Sequence, residues 1–310
     1  MILSLTATRG TWVSLSDGMN ARDKILLALA RYKYLTRSQM IEQLHICKRD
    51  HLGEVLRGML PPNAKEDGKP DNDKTIKQTR LTYEVIRHKT RGYNGKGRSE
   101  DMYSLSKLGA DQVRHLVRNP LHHANPKIKP MGQDFHHRCG TVSAAIGLDR
   151  GLRSIGAQVD MSFYYNRYPY ARWNTTIVCE DERENITPDM ILEMTPVDGI
   201  RRMCCVEYYR GTHYETHAER LGKYSKALFD GTIRHALNID NAVRVLVICE
   251  TPAVLDQITK RLNAAIDPRY DAVRKLLFFR LPFGDFRAFR DGWFDLLKAP
   301  AAPFHTIPTV

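Results

Sequence analysis

The sequence predicts a two-domain α+β chain: a small helical domain ending in a β-hairpin, then a larger α/β domain. Three observations carry this prediction. Apolar residues recur at helical spacing three times before residue 60 and then give way to strand-like runs around a glycine-rich tip. A polar stretch with three prolines, residues 119–131 (NPLHHANPKIKPM), then interrupts all periodicity. Beyond it, strand-like and helix-like runs alternate to about residue 281. The chain length of 310 residues accommodates two domains, and a hydrophobic fraction of 42% is enough for packed cores.

In the first domain, residues 23–34 place Ile25, Leu26, Leu27, Leu29 and Ala30 on a helical stripe. Thr36 reads as the N-cap of a second helix with Met40, Ile41 and Leu44 on its apolar face. Residues 50–60 form a third helix through Leu52, Val55, Leu56 and Met59, and residues 61–73 (PPNAKEDGKPDND) read as a loop. Residues 82–90 read as a strand, although residues 75–86 have a rival helical reading. Residues 91–99 (RGYNGKGRS) form a tight basic tip, residues 100–106 return as a strand, and residues 108–117 close the domain as a helix.

Three helices, a basic hairpin and a closing helix are the plan of a winged helix-turn-helix, expected over residues 1–120. The helix over residues 50–60 is the expected recognition helix, with residues 75–86 the rival. The residues expected to meet DNA phosphates are Arg57, Lys77, Arg80, Arg87, Lys89, Arg91, Lys96 and Arg98. The whole-chain charge agrees. Lys plus Arg is 47 against 35 for Asp plus Glu, a net charge of +12 that suits a polyanion, here double-stranded DNA. No apolar run approaches the roughly 20 residues of a membrane span, and residues 1–20 lack a secretory pattern, so a cytoplasmic protein is expected. The six cysteines form no CxxC pair and read as small core residues.

After a linker at 121–132, the second domain is expected over 133–297, with a flexible tail at 298–310. Residues 136–156 read as a long helix capped by Gly156, with Val142, Ala145, Ile146, Leu148 and Leu152 on its apolar face. Strands are predicted at 159–165, 186–194, 202–210, 243–249 and 275–281, and helices at 214–229 and 254–265. A short turn through Pro196 and Gly199 joins the strands carrying Asp189 and Glu207, so these carboxylates are expected side by side.

Two such carboxylates suit Mg²⁺ or Mn²⁺, and a metal there would position water and stabilise charge on a phosphodiester. The restriction-endonuclease-like fold, with its Pro-Asp and Asp/Glu-x-Lys motif, uses this arrangement. Pro188-Asp189 and Glu207 match it, but Tyr209 stands in the lysine position and Lys223, on the next helix, is the candidate migrated lysine. The competing readings are a turn aspartate after proline, and a Glu207 paired with Arg210 or Arg202.

The combination resembles the replication-relaxation family of bacterial plasmids and other mobile elements. The resemblance spans residues 21–280. It rests on LLALARYKYLTRSQMIEQL, MYSLSKLGADQV, ITPDMILEM and VEYYRGTHYETHAERLGKYSKAL, in which Arg210, Gly211, Thr212, Lys223 and Tyr224 match in order. The family's second acidic residue is absent, since Tyr209 occupies its place. The resemblance implies an accessory role in replication, relaxation or mobilisation, alongside relaxase or replication proteins; a homodimer is expected separately, because many winged-helix proteins dimerise. DNA binding is expected to need no cofactor, and Tyr209 in the lysine position makes a degenerate nuclease-like domain the expectation. The alternatives are a metal-dependent DNA endonuclease and a winged-helix transcriptional regulator.

Smaller features have modest weight. His122-His123 and His136-His137 are adjacent pairs whose members point about 100° apart on a helix, so neither pair chelates alone. His213 and His217 have i, i+4 spacing but read as a solvated face. Phe163, Tyr164, Tyr165, Tyr168, Tyr170 and Trp173, with Arg167 and Arg172 interleaved, suit stacked bases, a packed sheet edge or a dimer contact.

Overall fold

The computed structural model describes residues 18–60, 83–88, 100–116, 133–164, 175–179, 185–296, 299–301 and 303–304. It is a mixed α+β chain that divides into two compact units. Among the described residues, no helix is long and apolar enough to cross a membrane.

The first unit runs α1 (Ala21–Tyr32), β1 (Leu35–Thr36), a π-helical turn (Gln39–Gln43), α2 (Arg49–Met59), β2 (Val85–His88), β3 (Met102–Leu105) and α3 (Lys107–Leu116). Asn20 starts α1 by accepting the Asp23 N–H at 2.8 Å. Residues 25–30 are all buried, so α1 is the central element of the unit rather than a surface helix. The helix ends at Lys33, whose φ of 70° breaks the helical path.

Thr36 was expected only as an N-cap. It lies in the two-residue strand β1, yet it also forms a reciprocal cap: its Oγ1 accepts the Gln39 N–H at 3.2 Å, and Gln39 Oε1 accepts the Thr36 N–H at 2.9 Å. The sheet order is β1-β3-β2, antiparallel throughout, with Thr36 opposite Met102 and His88 opposite Met102 on the other side. Gly109 fixes α3 against the hairpin, because a Cβ there would sit 2.0 Å from the Glu84 carbonyl oxygen. The loop at 61–73, most of the rival helix, the tip at 91–99, and the linker lie outside the described residues.

The second unit opens with the long helix α4 (Gln133–Ser154), then β4 (Gln158–Phe163), β5 (Met190–Thr195) and β6 (Arg202–Tyr209). It continues through α5 (Tyr214–Phe229), α6 (Thr232–Leu237), β7 (Arg244–Cys249), α7 (Pro252–Ala265) and β8 (Leu277–Arg280), then β9 (Trp293–Phe294) and β10 (Pro300–Ala301). Two 3₁₀ segments, Pro268–Leu276 and Phe286–Arg290, flank β8.

The sheet order is β10-β9-β8-β7-β6-β5-β4. β4, β5 and β6 form an antiparallel meander, while β6, β7 and β8 are parallel, as helical crossovers require. β6 is buried along its whole length, as a strand covered on both faces must be. Met203, Cys205, Val245 and Val247 pack with Leu221, Tyr224, Ile258 and Leu262 of α5 and α7. Cys204, Cys205 and Cys249 are free and buried.

Two expectations are corrected. The strand expected from residue 186 begins at Met190; Ile186 only bridges Ile177, because Pro188 has no N–H for a ladder. The tail expected to be flexible is packed where it is described. Pro300 and Ala301 pair with β9, and Phe304 is buried against Phe289 and Trp293. Burying one aromatic offsets the ordering cost of a short strap, which the Pro/Ala composition alone conceals.

The glycines of α4 make a test of this packing. A Cβ at Gly151 would lie 2.3 Å from the Phe289 ring, whereas one at Gly222, inside α5, meets nothing within 4 Å. Gly151→Ala is expected to cost about 1–3 kcal/mol through overpacking. Gly222→Ala should gain about 0.5–1 kcal/mol through helix propensity. Denaturant midpoints of the two variants should therefore move in opposite directions.

Candidate functional site

The β5–β6 register places the carboxylates. Its last pair is Met190 opposite Val206, and one further step puts Asp189 opposite Glu207. Asp189 sits where the ladder gives out, and its side chain replaces the missing backbone partner: Oδ2 accepts the Tyr208 N–H at 2.8 Å. Its carbonyl accepts the Tyr164 N–H at 3.1 Å. From α4, His137 Nε2 approaches Asp189 Oδ1 to 3.0 Å.

Glu207 is 0% exposed. Its Oε1 accepts from the Tyr224 hydroxyl at 2.5 Å and lies 2.9 Å from Arg220 Nη2, both side chains coming from α5. These two residues are i and i+4 on the helix and so meet one strand position together. Arg220 also donates to the Thr187 carbonyl. Glu207 Oε2 and Tyr209 Oη are buried without a hydrogen-bond partner among the described residues. Tyr209 stacks on His217, with ring centroids 4.2 Å apart.

Burial pushes the Glu207 carboxyl up to about 8, against the pull of Arg220 and the Tyr224 hydrogen bond. Burial also pushes Asp189 up, but the charge and hydrogen bond of His137, the Arg220 charge and the Tyr208 N–H outweigh it, and the net shift is downward. For His137, burial favours the neutral ring. The carboxylates of Asp189 and Glu207 outweigh that too, and its net shift is upward.

Asp189 and Glu207 are thus brought together, and Tyr224 joins them. Lys223 lines a groove beside Arg220, with Thr187, Thr216 and Glu219. Neither pairing first considered for Glu207 is the one formed: Arg202 bonds Asp198 at 2.7 Å, and Arg210 lies 3.7 Å from Glu250. Gly211 takes a φ of 71° in the turn after β6, and Thr212 follows it, exposed. His213 precedes α5 and is exposed, as a solvated face requires, but His217 is half-buried against Tyr209 and its Nε2 donates to the Arg210 carbonyl at 3.2 Å.

Sequence reasoning missed Arg220 and the role of His137. Their signals were an arginine one turn before Tyr224, and a histidine on a helix that must cover the sheet. Among the described residues, no group of three or more His, Cys, Asp or Glu side chains is arranged to hold a metal ion.

In the first unit, Arg57 is on the exposed side of α2, opposite buried Leu52, Leu56 and Met59. Arg87, on β2, bonds Asp101 through Nε at 2.6 Å. Lys77, Arg80, Lys89, Arg91, Lys96 and Arg98 lie outside the described residues, as do residues 165–174 of the aromatic cluster. Comparisons with protein-family models, curated proteins and solved structures found no match.

Proposed function

We propose that the chain is a DNA-binding accessory protein of a plasmid or other mobile element, acting in replication, relaxation or mobilisation. Its first unit is read as a winged helix and its second as a restriction-endonuclease-like domain that no longer cleaves. The observation that carries the reading is the pairing of His88 with Met102. It makes β2 and β3 two arms of a hairpin whose connecting segment holds Lys89, Arg91, Lys96 and Arg98. The order helix, strand, two helical segments, hairpin and β1-β3-β2 pairing supports a winged helix with α2 as the recognition helix. Double-stranded DNA is the partner that basic tip suits.

For the second unit, support comes from α4 followed by the β4–β5–β6 meander, α5 and a parallel β7, with Asp189 opposite Glu207. The donor set does not suit Mg²⁺ or Mn²⁺. Mg²⁺ usually takes one or two carboxylates and keeps several waters, but each carboxylate here already faces a basic side chain, His137 or Arg220, which a metal would have to displace. This supports a site that has exchanged metal chemistry for internal contacts with His137, Arg220 and Tyr224.

The apposed carboxylates favour one second reading, a metal-dependent endonuclease. Full-length protein incubated with supercoiled and linear duplex plus Mg²⁺ or Mn²⁺ separates the two. Retarded but intact DNA is expected. Cleavage that is lost in both Asp189→Ala and Glu207→Ala would establish the nuclease instead.

A further inference from the structure

Between α5 and the segment entering β5 lies a groove of about 310 Å³, lined by residues that include Thr187, Thr216, Glu219, Arg220 and Lys223. Two of these are cations, two carry hydroxyls and one is a carboxylate. Glu219 is exposed, so solvent screens it. Arg220 also faces the buried carboxylate of Glu207.

Arg220 is only partly used by the protein. A guanidinium carries five N–H donors on three nitrogens. Among the described residues, Nη2 alone meets acceptors, at Glu207 Oε1 and the Thr187 carbonyl. Nε and Nη1 are left for an acceptor in the groove. On the same face of β6, Glu207 Oε2 and Tyr209 Oη are both buried and lack partners among the described residues. Neither residue lines the groove, and a bridging water is the simplest group that satisfies both atoms. Thr216 lies in the first turn of the 16-residue helix α5, where the backbone dipole favours an anion.

We infer that this groove binds a phosphate group on Arg220, Lys223 and the Thr216 hydroxyl, and that Arg220 links that phosphate to Glu207. Arginine suits this task because its planar fork matches phosphate oxygens and cannot be deprotonated. The binding is therefore metal-independent. The inference rests on the DNA-binding reading above for its preferred source of phosphate, a backbone phosphodiester. Free phosphate shares the chemistry.

The test uses the full chain and the double variant Lys223→Gln/Thr216→Val, which leaves the Arg220–Glu207 pair in place. Binding of a labelled duplex is followed by fluorescence anisotropy across a salt series, with and without EDTA. The double variant should bind roughly 5- to 10-fold more weakly, with a log–log salt slope shallower by about 1, as expected for one lost phosphate contact. EDTA should change neither protein.

In parallel, inorganic phosphate is added during thermal unfolding. A rise in midpoint for the native sequence alone shows that the groove accepts free phosphate. A rise in neither protein, together with the weakened duplex binding, assigns the site to backbone phosphate. Wild-type affinity and slope in the double variant, or duplex binding abolished by EDTA, would overturn the inference. If the native sequence fails to bind duplex yet phosphate still stabilises it and not the double variant, the DNA-binding reading fails and the groove assignment stands.

Discussion

Replacing Arg220 with methionine is expected to destabilise the second unit by about 2–4 kcal/mol at pH 9, and by clearly less at pH 6. Breaking a buried ion pair from one side costs about 3–5 kcal/mol, because the remaining charge has no partner. The loss here is smaller because the Arg220 side chain is 36% exposed and solvent screens part of the pair. The pH dependence follows from Glu207. Its folded-state pKa is raised to about 8 from 4.5, mainly by burial. Between those values the folded protein holds a proton that the unfolded chain has released, so stability falls as pH rises through this window. Without Arg220 the Glu207 carboxyl is pushed higher still, and the decline continues above pH 8 where the native sequence has levelled off. The gap between the two proteins should therefore widen with pH. Glu207→Gln should flatten the decline, and the Glu207→Gln/Arg220→Met pair should recover much of the loss. Urea unfolding at pH 6 and pH 9 measures all four proteins, and a gap that does not change with pH would contradict the assignment of Glu207.

The second large effect concerns the hairpin tip. Replacing Arg91, Lys96 and Arg98 together with glutamine removes three cations from one short segment. Each phosphate neutralised on duplex DNA contributes about 0.9 to the log–log salt slope. The triple variant should therefore have a slope shallower by roughly 2.7, with affinity at moderate salt down about 10-fold or more. Folding should be unaffected, since charged tip residues contribute little to a core. Anisotropy titrations at several salt concentrations check both quantities, and an unchanged slope would remove the tip from the DNA interface.

Much of the fold was legible because burial imposes periodicity. α5 runs from Tyr214 to Phe229, the bounds that Leu221, Tyr224 and Leu228 implied, and β6 differs from its expected span by one residue. Asp189 and Glu207 were legible as neighbours because the turn through Pro196 and Gly199 fixes the register; Gly199 adopts φ 73° and donates to the Pro196 carbonyl.

What closes the site was not legible. Arg220 has no motif of its own, and only the placement of α5 over β6 turns it toward Glu207. His137 was weighed as half of an adjacent pair, although its partner is a carboxylate 52 positions on, reached across the end of a strand. The two-residue strand β1 is too short to have a period, and Phe304 gains meaning only through Trp293 and Phe289. The pattern is general to this chain: spacing places residues on elements, while ion pairs between elements depend on packing.

The central claim is that the chain binds duplex DNA through backbone phosphates and leaves it uncut. Its most direct test is the affinity of the full-length native protein for a labelled linear duplex between 50 and 200 mM salt, in EDTA and again in Mg²⁺. These concentrations are about those over which several phosphate contacts change affinity by orders of magnitude. Tight binding at low salt, a steep linear loss with the logarithm of salt, the same values with either addition, and full-length DNA recovered afterwards are expected. Absence of binding at low salt, or binding that requires Mg²⁺ and ends in cleaved duplex, would contradict the claim.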